Sequence, residues 1–322
     1  MGSINKIAVI YGGTSSEREI SLLSGDGVHK ALIELGYESD LIDYKNISNI
    51  KDLKIYDFVF IALHGFEGEN GDLQKDLDNL GISYSGSKSQ ACKLTWNKKY
   101  TKEILEHAAV NTPKMIAFSK FPDSLRKDFL WLSSFDAFRR ENYVVDQTGA
   151  DPGFEYIFLK PQEDGSSVDI FKISDFNSLK EAYQKCTNRN RGFIFEEFID
   201  GKEFTVTIVN GECFPPIQII SKNEFYDYDA KYISNDTVLA EAKLSDIELG
   251  RIKKISIDAF NILGCKAWGR VDLMQCNKTG EFYVIEINTV PGMTNHSCVP
   301  KSGSFLGLSY NEVVKRIIDA SI

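Results

Sequence analysis

Apolar residues along this chain fall into short unbroken runs, separated by longer stretches with helical spacing. Lys6–Tyr11 (KIAVIY) is one such run and ends at Gly12-Gly13. That pattern predicts a parallel strand buried on both faces, followed by a turn. Ser15 and Ser16 then precede Glu17, predicting a helix start with acid in its first turn. Apolar spacing over residues 17–35 carries that helix to a stop at Gly36. Asp57–Leu63 is a second buried run and leads at once into His64-Gly65. Repeated strand, helix and strand predict a doubly wound α/β domain over residues 1–96.

Further on, residues 97–107 are expected to be helical, and residues 113–118 form a strand after Pro113. Residues 122–154 are charged and aromatic and predict an irregular insertion or a pair of helices. Ile157–Lys160 is expected to be a strand, residues 175–186 a helix, and Phe193–Phe198 and Phe204–Val209 strands. A polar aromatic loop spans Phe225–Asp236. Residues 245–263 carry the strongest helical pattern and stop at Gly264. Two strands follow, Ala267–Gln275 and Phe282–Asn288, around a turn at Asn277–Gly280; the last helix starts near Tyr310. The length allows two or three domains, and the expected bounds are 1–96, 97–195 and 196–322.

Composition narrows the classes. A net charge of −9 provides no global basic field for nucleic acid. The six cysteines are scattered without a C-x-x-C pair, so neither a zinc ribbon nor a redox motif is predicted. They are expected to be free thiols of a cytoplasmic protein. Residues 1–6 lack the apolar core of a signal peptide, and the longest apolar run is too short to cross a membrane.

Candidate chemistry is densest in Arg270-Val271-Asp272 and Glu286-Ile287-Asn288. Alternation places Arg270 and Asp272 on one strand face, and Glu286 and Asn288 on one face of the next. If the hairpin loop has odd length, those faces coincide. Oxygen ligands without His or Cys suit Mg²⁺. A solvated hairpin carrying surface ion pairs is the plain alternative. Downstream, Pro291-Gly292-Met293-Thr294 is either an ordinary turn or a backbone N–H aimed at an oxyanion, with Ser297 on the same loop.

Asp164-Gly165-Ser166-Ser167 follows Lys160 and presents backbone N–H groups that suit phosphate; it is not a Walker A loop. Lys98 and Lys231 are further phosphate candidates, although a single lysine is more often a solvated surface residue. Phe195–Ile199, with Glu203 beyond, reads either as an adenine-binding hinge or as an edge strand with exposed acids.

Taken in order, these segments resemble the D-alanine–D-alanine ligase family of the ATP-grasp superfamily. The resemblance rests on Gly12–Ser21 (GGTSSEREIS), Ala62–Gly65, Lys160-Pro161 with Gly165–Val168, Glu203–Val206, Tyr226–Tyr232, Gly269–Asp272 and Glu286–Thr294. It implies an α/β ATP-grasp fold: a Rossmann-like N-terminal domain and two α+β domains clasping ATP. It implies ATP-dependent joining of two D-alanine molecules through D-alanyl phosphate, giving D-alanyl-D-alanine for peptidoglycan. By the resemblance, Glu17 holds the first ammonium and His64 lies near its carboxylate, while Ser166 and Tyr232 join Glu17. Lys98, Lys160 and Lys231 meet the ATP phosphates. Glu196 meets adenine and Glu203 the ribose, with Phe198 and Ile199 at the hinge. Asp272, Glu286 and Asn288 carry two Mg²⁺, with Mn²⁺ a substitute. Arg270 and the Gly292 N–H stabilise the oxyanion, and Ser297 holds the second carboxylate. A homodimer is the implied assembly.

The alternatives are a ligase joining D-alanine to D-lactate or D-serine, and a degenerate ATP-grasp protein. Asp169 stands where the family has Gly, Glu163 where a basic residue is common, Asn97 where Asp usually precedes the lysine, and Cys298 for a common Leu. The acidic loop is therefore expected either to turn Asp169 to solvent, or to repel ATP or stay open until Mg²⁺ and the first D-alanine bind.

Overall fold

The computed structural model describes residues 4–121, 157–165, 168–174, 176–220 and 237–322. The expected insertion at 122–154 and the loop at Phe225–Asp236 lie outside them. The chain builds three sheets from segments in sequence order.

The first sheet holds β1 (Lys6–Tyr11), β2 (Glu38–Asp43), β3 (Phe58–Ile61) and β4 (Ser83–Tyr84), all parallel, in the order β2-β1-β3-β4. Its unbroken apolar runs are explained by cover on both faces. Ile7 and Val9 point to one core with Phe58 and Phe60, while Ala8 and Ile10 point to another with Val59 and Ile61. Helix α1 (Arg18–Glu34) packs on the first face. Short α2 (Phe66–Glu69) and amphipathic α3 (Asp72–Leu80) follow β3, and α3 places Leu73 and Leu77 in the second core. Helices α4 (Ser89–Trp96) and α5 (Lys98–His107) lead out of this region.

The second sheet is antiparallel: β5 (Met115–Phe118), β6 (Ile157–Pro161), β7 (Phe171–Ile173) and β8 (Phe193–Glu197), in the order β5-β8-β6-β7. Helix α6 (Phe176–Lys185) covers one face, placing Leu179 and Ala182 against Ile157, Leu159, Phe193 and Phe195. β8 is an inner strand, so its acids are not those of an edge.

The third sheet joins β9 (Gly201–Val209), β10 (Glu212–Cys213), β11 (Ile217–Ile220), β12 (Val238–Glu241), β13 (Trp268–Cys276) and β14 (Phe282–Asn288). Its path is β12-β11-β9-β13-β14, with β10 folded back on β9. Helix α7 (Asp246–Ile262) starts at a capping box, in which Ser245 and Glu248 satisfy each other's backbone N–H. It lays Ile252, Ala259 and Phe260 over Val271 and Val284. Helices α8 (Cys298–Phe305) and α9 (Tyr310–Ala320) complete the chain. α9 returns to the first sheet, where Val313, Val314 and Ile317 share a core with Ile7, Val9 and Phe60. All six cysteines are free thiols, most of them buried.

Candidate active site

The β13–β14 hairpin sets Arg270 opposite Asn288 and Asp272 opposite Glu286. The register then slips, because Leu273 faces Val284 and Ile285 is left over as a bulge. That slip keeps Val271, Leu273, Val284 and Ile287 together in the core while the four polar side chains share the other face. The two faces do coincide, but through a bulge and not through the loop alone. A directly opposed carboxylate pair is repulsive. Arg270 offsets part of the charge with paired bonds to Asp272: Nε to Oδ1 and Nη2 to Oδ2, both at 2.8 Å. Burial opposes the guanidinium charge, yet the Asp272 carboxylate outweighs it and holds the Arg270 pKa well above its ordinary value. Thr205 on β9 donates to Asp272 Oδ1 at 2.6 Å.

Beyond β14 the chain turns under the first sheet. His64 Nδ1 lies 2.9 Å from the Val290 carbonyl, and Nε2 lies 2.8 Å from Ser24 Oγ. A carbonyl only accepts, so the proton is on Nδ1 and Nε2 accepts the Ser24 hydroxyl. Ser24 Oγ in turn accepts the Met293 N–H at 3.1 Å. Both imidazole nitrogens are thus used to fasten the Val290–Met293 loop to α1. Burial, helped by the charge of Arg270, pushes the His64 pKa down to about 4. Ser297 Oγ accepts the Thr294 N–H at 3.0 Å on the same loop.

Opposite stands Glu17, buried at the start of α1. Gly165 lies so close to it that a Cβ there would overlap Glu17 Oε1, so a larger residue would require the Glu17 carboxylate to move. The Gly12–Gly13 turn is held by Arg18, which donates to the Gly13 carbonyl at 2.6 Å and to Asp43 at 2.7 Å. Glu69 is a second buried acid here, accepting the Gly65 N–H at 2.8 Å. Burial, with the charge of Glu17 adding, pushes the Glu69 carboxyl well above the usual range.

These parts enclose one cavity of about 220 Å³. Of the residues singled out from sequence, Glu17, His64, Lys98, Arg270, Glu286, Asn288, Gly292 and Ser297 line it. Lys160, Glu196, Phe198, Ile199, Glu203 and Asp272 do not. Asp272 lies under Arg270. Glu203 is half-buried on β9. The others gather at the second sheet, where Lys160 on β6 bonds Glu196 on β8, and Phe198 packs edge-on to Phe158 at 5.9 Å. Glu196 is 2 % exposed. Burial works against its charge, but Lys102 and Lys160 prevail and hold its pKa at about 2. Ser166, Lys231 and Tyr232 lie outside the described residues.

The acidic loop departs from the sequence expectation. Asp169 neither faces water nor points at the cavity: its side chain is 4 % exposed. It accepts the Thr187 N–H at 3.1 Å, the Thr187 hydroxyl at 2.7 Å and Arg191 Nη2 at 2.6 Å. Its φ of +55° is left-handed, a conformation that glycine takes freely and Asp tolerates. Arg191 also bonds Asp164, while Glu163 accepts from Asn97 at 2.8 Å. Lys98 Nζ donates to the Asp164 carbonyl at 2.6 Å. The loop's acids are therefore spent on its own anchoring.

Sequence reasoning missed Glu69, Lys102, Arg191 and Ser24. Their partners are set by tertiary packing, and each looks like an ordinary surface or helix residue in its local pattern. For Glu69 one cue existed, its place just after His64-Gly65.

The family described as D-ala D-ala ligase C-terminus matches residues 109–319. The chain is 37 % identical over 319 residues to the D-alanine–D-alanine ligase of Haemophilus ducreyi, covering 98 % of each. A crystal structure of D-alanine–D-alanine ligase from Bacillus anthracis complexed with ATP superposes with a TM-score of 0.78 at 29 % identity, covering 99 % of this chain and 97 % of that one. The VanG D-Ala:D-Ser ligase of Enterococcus faecalis also superposes at 0.78, with 25 % identity and 99 % and 100 % coverage. With a matched family over most of its length, full-length relatives above 30 % identity and the ATP-grasp architecture of its structural neighbours, the chain belongs to the D-alanine–D-alanine ligase family.

Proposed function

We propose that this protein joins two D-alanine molecules at the expense of ATP, through D-alanyl phosphate, to supply D-alanyl-D-alanine for peptidoglycan. The observation that carries the reading is the convergence of Glu17, Lys98, Arg270, Glu286 and Gly292 on one cavity. A carboxylate is a poor electrophile, so phosphorylation by ATP comes first. Glu17 receives the ammonium of the first D-alanine, completed by Ser166 and Tyr232. Lys98, Lys160 and Lys231 offset phosphate charge. Glu196, Phe198, Ile199 and Glu203 receive the nucleoside. Arg270 and the Gly292 N–H stabilise the tetrahedral oxyanion, a role in which losing one donor costs roughly 10²–10³ in rate. Ser297 takes the second carboxylate. His64 acts by holding the Val290–Met293 loop against α1.

The donor set of Asp272, Glu286 and Asn288 fits divalent cations. It is all oxygen, and its two carboxylates face each other directly across the hairpin. Two Mg²⁺ ions, replaceable by Mn²⁺, would supply charge neutralisation at the phosphates. The D-alanine–D-alanine ligase of Haemophilus ducreyi is 37 % identical over nearly the full length, against 25 % for the D-Ala:D-Ser neighbour, which favours the dipeptide. No helix among the described residues is long and apolar enough to cross a membrane; a cytoplasmic homodimer completes the proposal. Phosphate release is expected only with ATP, Mg²⁺ and D-alanine together. Equal turnover with L-alanine would sink the assignment.

A further inference from the structure

Lys102 is 1 % exposed, among the largest fully buried side chains of the protein. It lies on α5, one turn beyond Lys98. Its ammonium has three N–H donors and three acceptors: Glu196 Oε2 at 2.8 Å, Thr112 Oγ1 at 2.9 Å and the Pro113 carbonyl at 3.2 Å. The other carboxylate oxygen of Glu196 takes Lys160, which is more exposed, at 11 %. One carboxylate thus sits between an inner and an outer ammonium. Thr112 donates onward to the Val284 carbonyl at 2.8 Å, and the Val284 N–H donates to Asn111 at 2.8 Å. The inner end is therefore stitched to β14, two residues before Glu286. A buried ammonium is disfavoured unless it is paired, so so complete a set of partners marks a role beyond packing.

We propose that Lys102 is a positioning residue for the nucleotide: by holding one oxygen of Glu196 from inside, it keeps that carboxylate ionised and presents its outer oxygen, beside Lys160, to the 6-amino group of a purine. This rests on the reading of the protein as an ATP-using ligase with Glu196 at the base. Lys102 touches neither nucleotide nor reacting atoms and acts through Glu196. Adenine carries a donor at position 6 and guanine an acceptor, so a fixed, ionised Glu196 favours ATP over GTP. Without Lys102, the buried Glu196 has only Lys160 to hold its charge, and its affinity for a proton rises. Protonation replaces the charged acceptor with a weaker neutral one, so binding of ATP weakens as pH falls.

The test compares Lys102→Met, Glu196→Gln and the double variant in the full-length protein, measuring kcat and KM for ATP and for GTP between about pH 6 and pH 8. Lys102→Met is expected to raise KM for ATP roughly tenfold, with kcat within about threefold and KM for D-alanine unchanged. That KM climbs further towards the acid end, whereas the wild type stays flat, and the preference for ATP over GTP falls. In the Glu196→Gln background Lys102→Met adds nothing, because the two act as one unit. Should Lys102→Met fail to fold, Thr112→Val removes one acceptor from the ammonium and is expected to move KM and its pH trend the same way, by less. If Glu196→Gln leaves KM for ATP unchanged, Glu196 does not meet the base and the underlying reading falls. If Glu196→Gln raises KM while folded Lys102→Met, or Thr112→Val in its place, changes only thermal stability, the Lys102 proposal is overturned.

Discussion

Acid should loosen this protein through a single imidazole. His64 is buried, its Nδ1–H is given to Val290, and its Nε2 accepts from Ser24, so protonation would make Nε2 a donor, leave the Ser24 hydroxyl proton without its acceptor and place a charge near Arg270. An unfolded histidine takes up a proton below about pH 6.5, whereas the folded one resists until about 4. Between those values the unfolded state binds more protons, so stability is present above 6.5 and drains away as pH falls towards 4. At about 1.4 kcal/mol per pH unit the interval amounts to about 3 kcal/mol, a large share of the roughly 5–15 kcal/mol typical of a folded domain. The assay is urea unfolding at a series of pH values from about 7.5 to about 4.5, on wild type and His64→Gln. Glutamine keeps an amide donor for Val290 but cannot titrate. The variant should be less stable near neutrality, yet lose about 2–3 kcal/mol less than wild type on acidification across the series. Parallel pH curves for the two proteins would refute the reasoning.

Two further outcomes follow from the hairpin and the loop. Glu286→Gln should keep the fold and lower turnover by more than tenfold, since an amide lacks the charge that a divalent cation site needs; a variant keeping more than a tenth of wild-type phosphate release would contradict the metal assignment. Asp169→Gly should raise KM for ATP by roughly tenfold with kcat little changed, because the left-handed backbone suits glycine and only the bonds to Thr187 and Arg191 are lost. A lowered KM in steady-state kinetics would restore the repulsion picture that the sequence suggests.

What could be read without coordinates was what local pattern encodes. KIAVIY announces a strand covered on both sides, and Ser245 with Glu248 announces a helix start. β2 escaped notice because Glu38–Asp43 is half exposed and polar, and β4 because two residues carry no period. The bulge at Ile285 could not be inferred, since register is decided by which apolar side chains must stay in the core. Asp169 misled for a related reason: its charge was visible, but its partners on Thr187 and Arg191 were not. The polar face of the hairpin was legible because its alternation is intrinsic to a strand. The buried pair of Lys102 and Glu196 was not, because a lysine on a helix looks the same whether its tip meets water or a carboxylate from another sheet.

The return of α9 to the first sheet has a consequence for how the protein comes into being. Val313, Val314 and Ile317 join Val28, Ala31 and Leu32 of α1 over Ile7 and Val9, so the apolar cover on one side of the earliest sheet to be synthesised stays incomplete until nearly the whole chain has been made. At ribosomal speeds of about 5–20 residues per second, that leaves part of the Ile7–Val9 face uncovered for tens of seconds, the situation in which exposed apolar strands recruit chaperones or aggregate. Translation order and folding order are therefore out of step: the second sheet has its own core and can mature on the ribosome, while the first sheet, and the Val209 and Trp268 part of the third, are sealed only after α9 emerges.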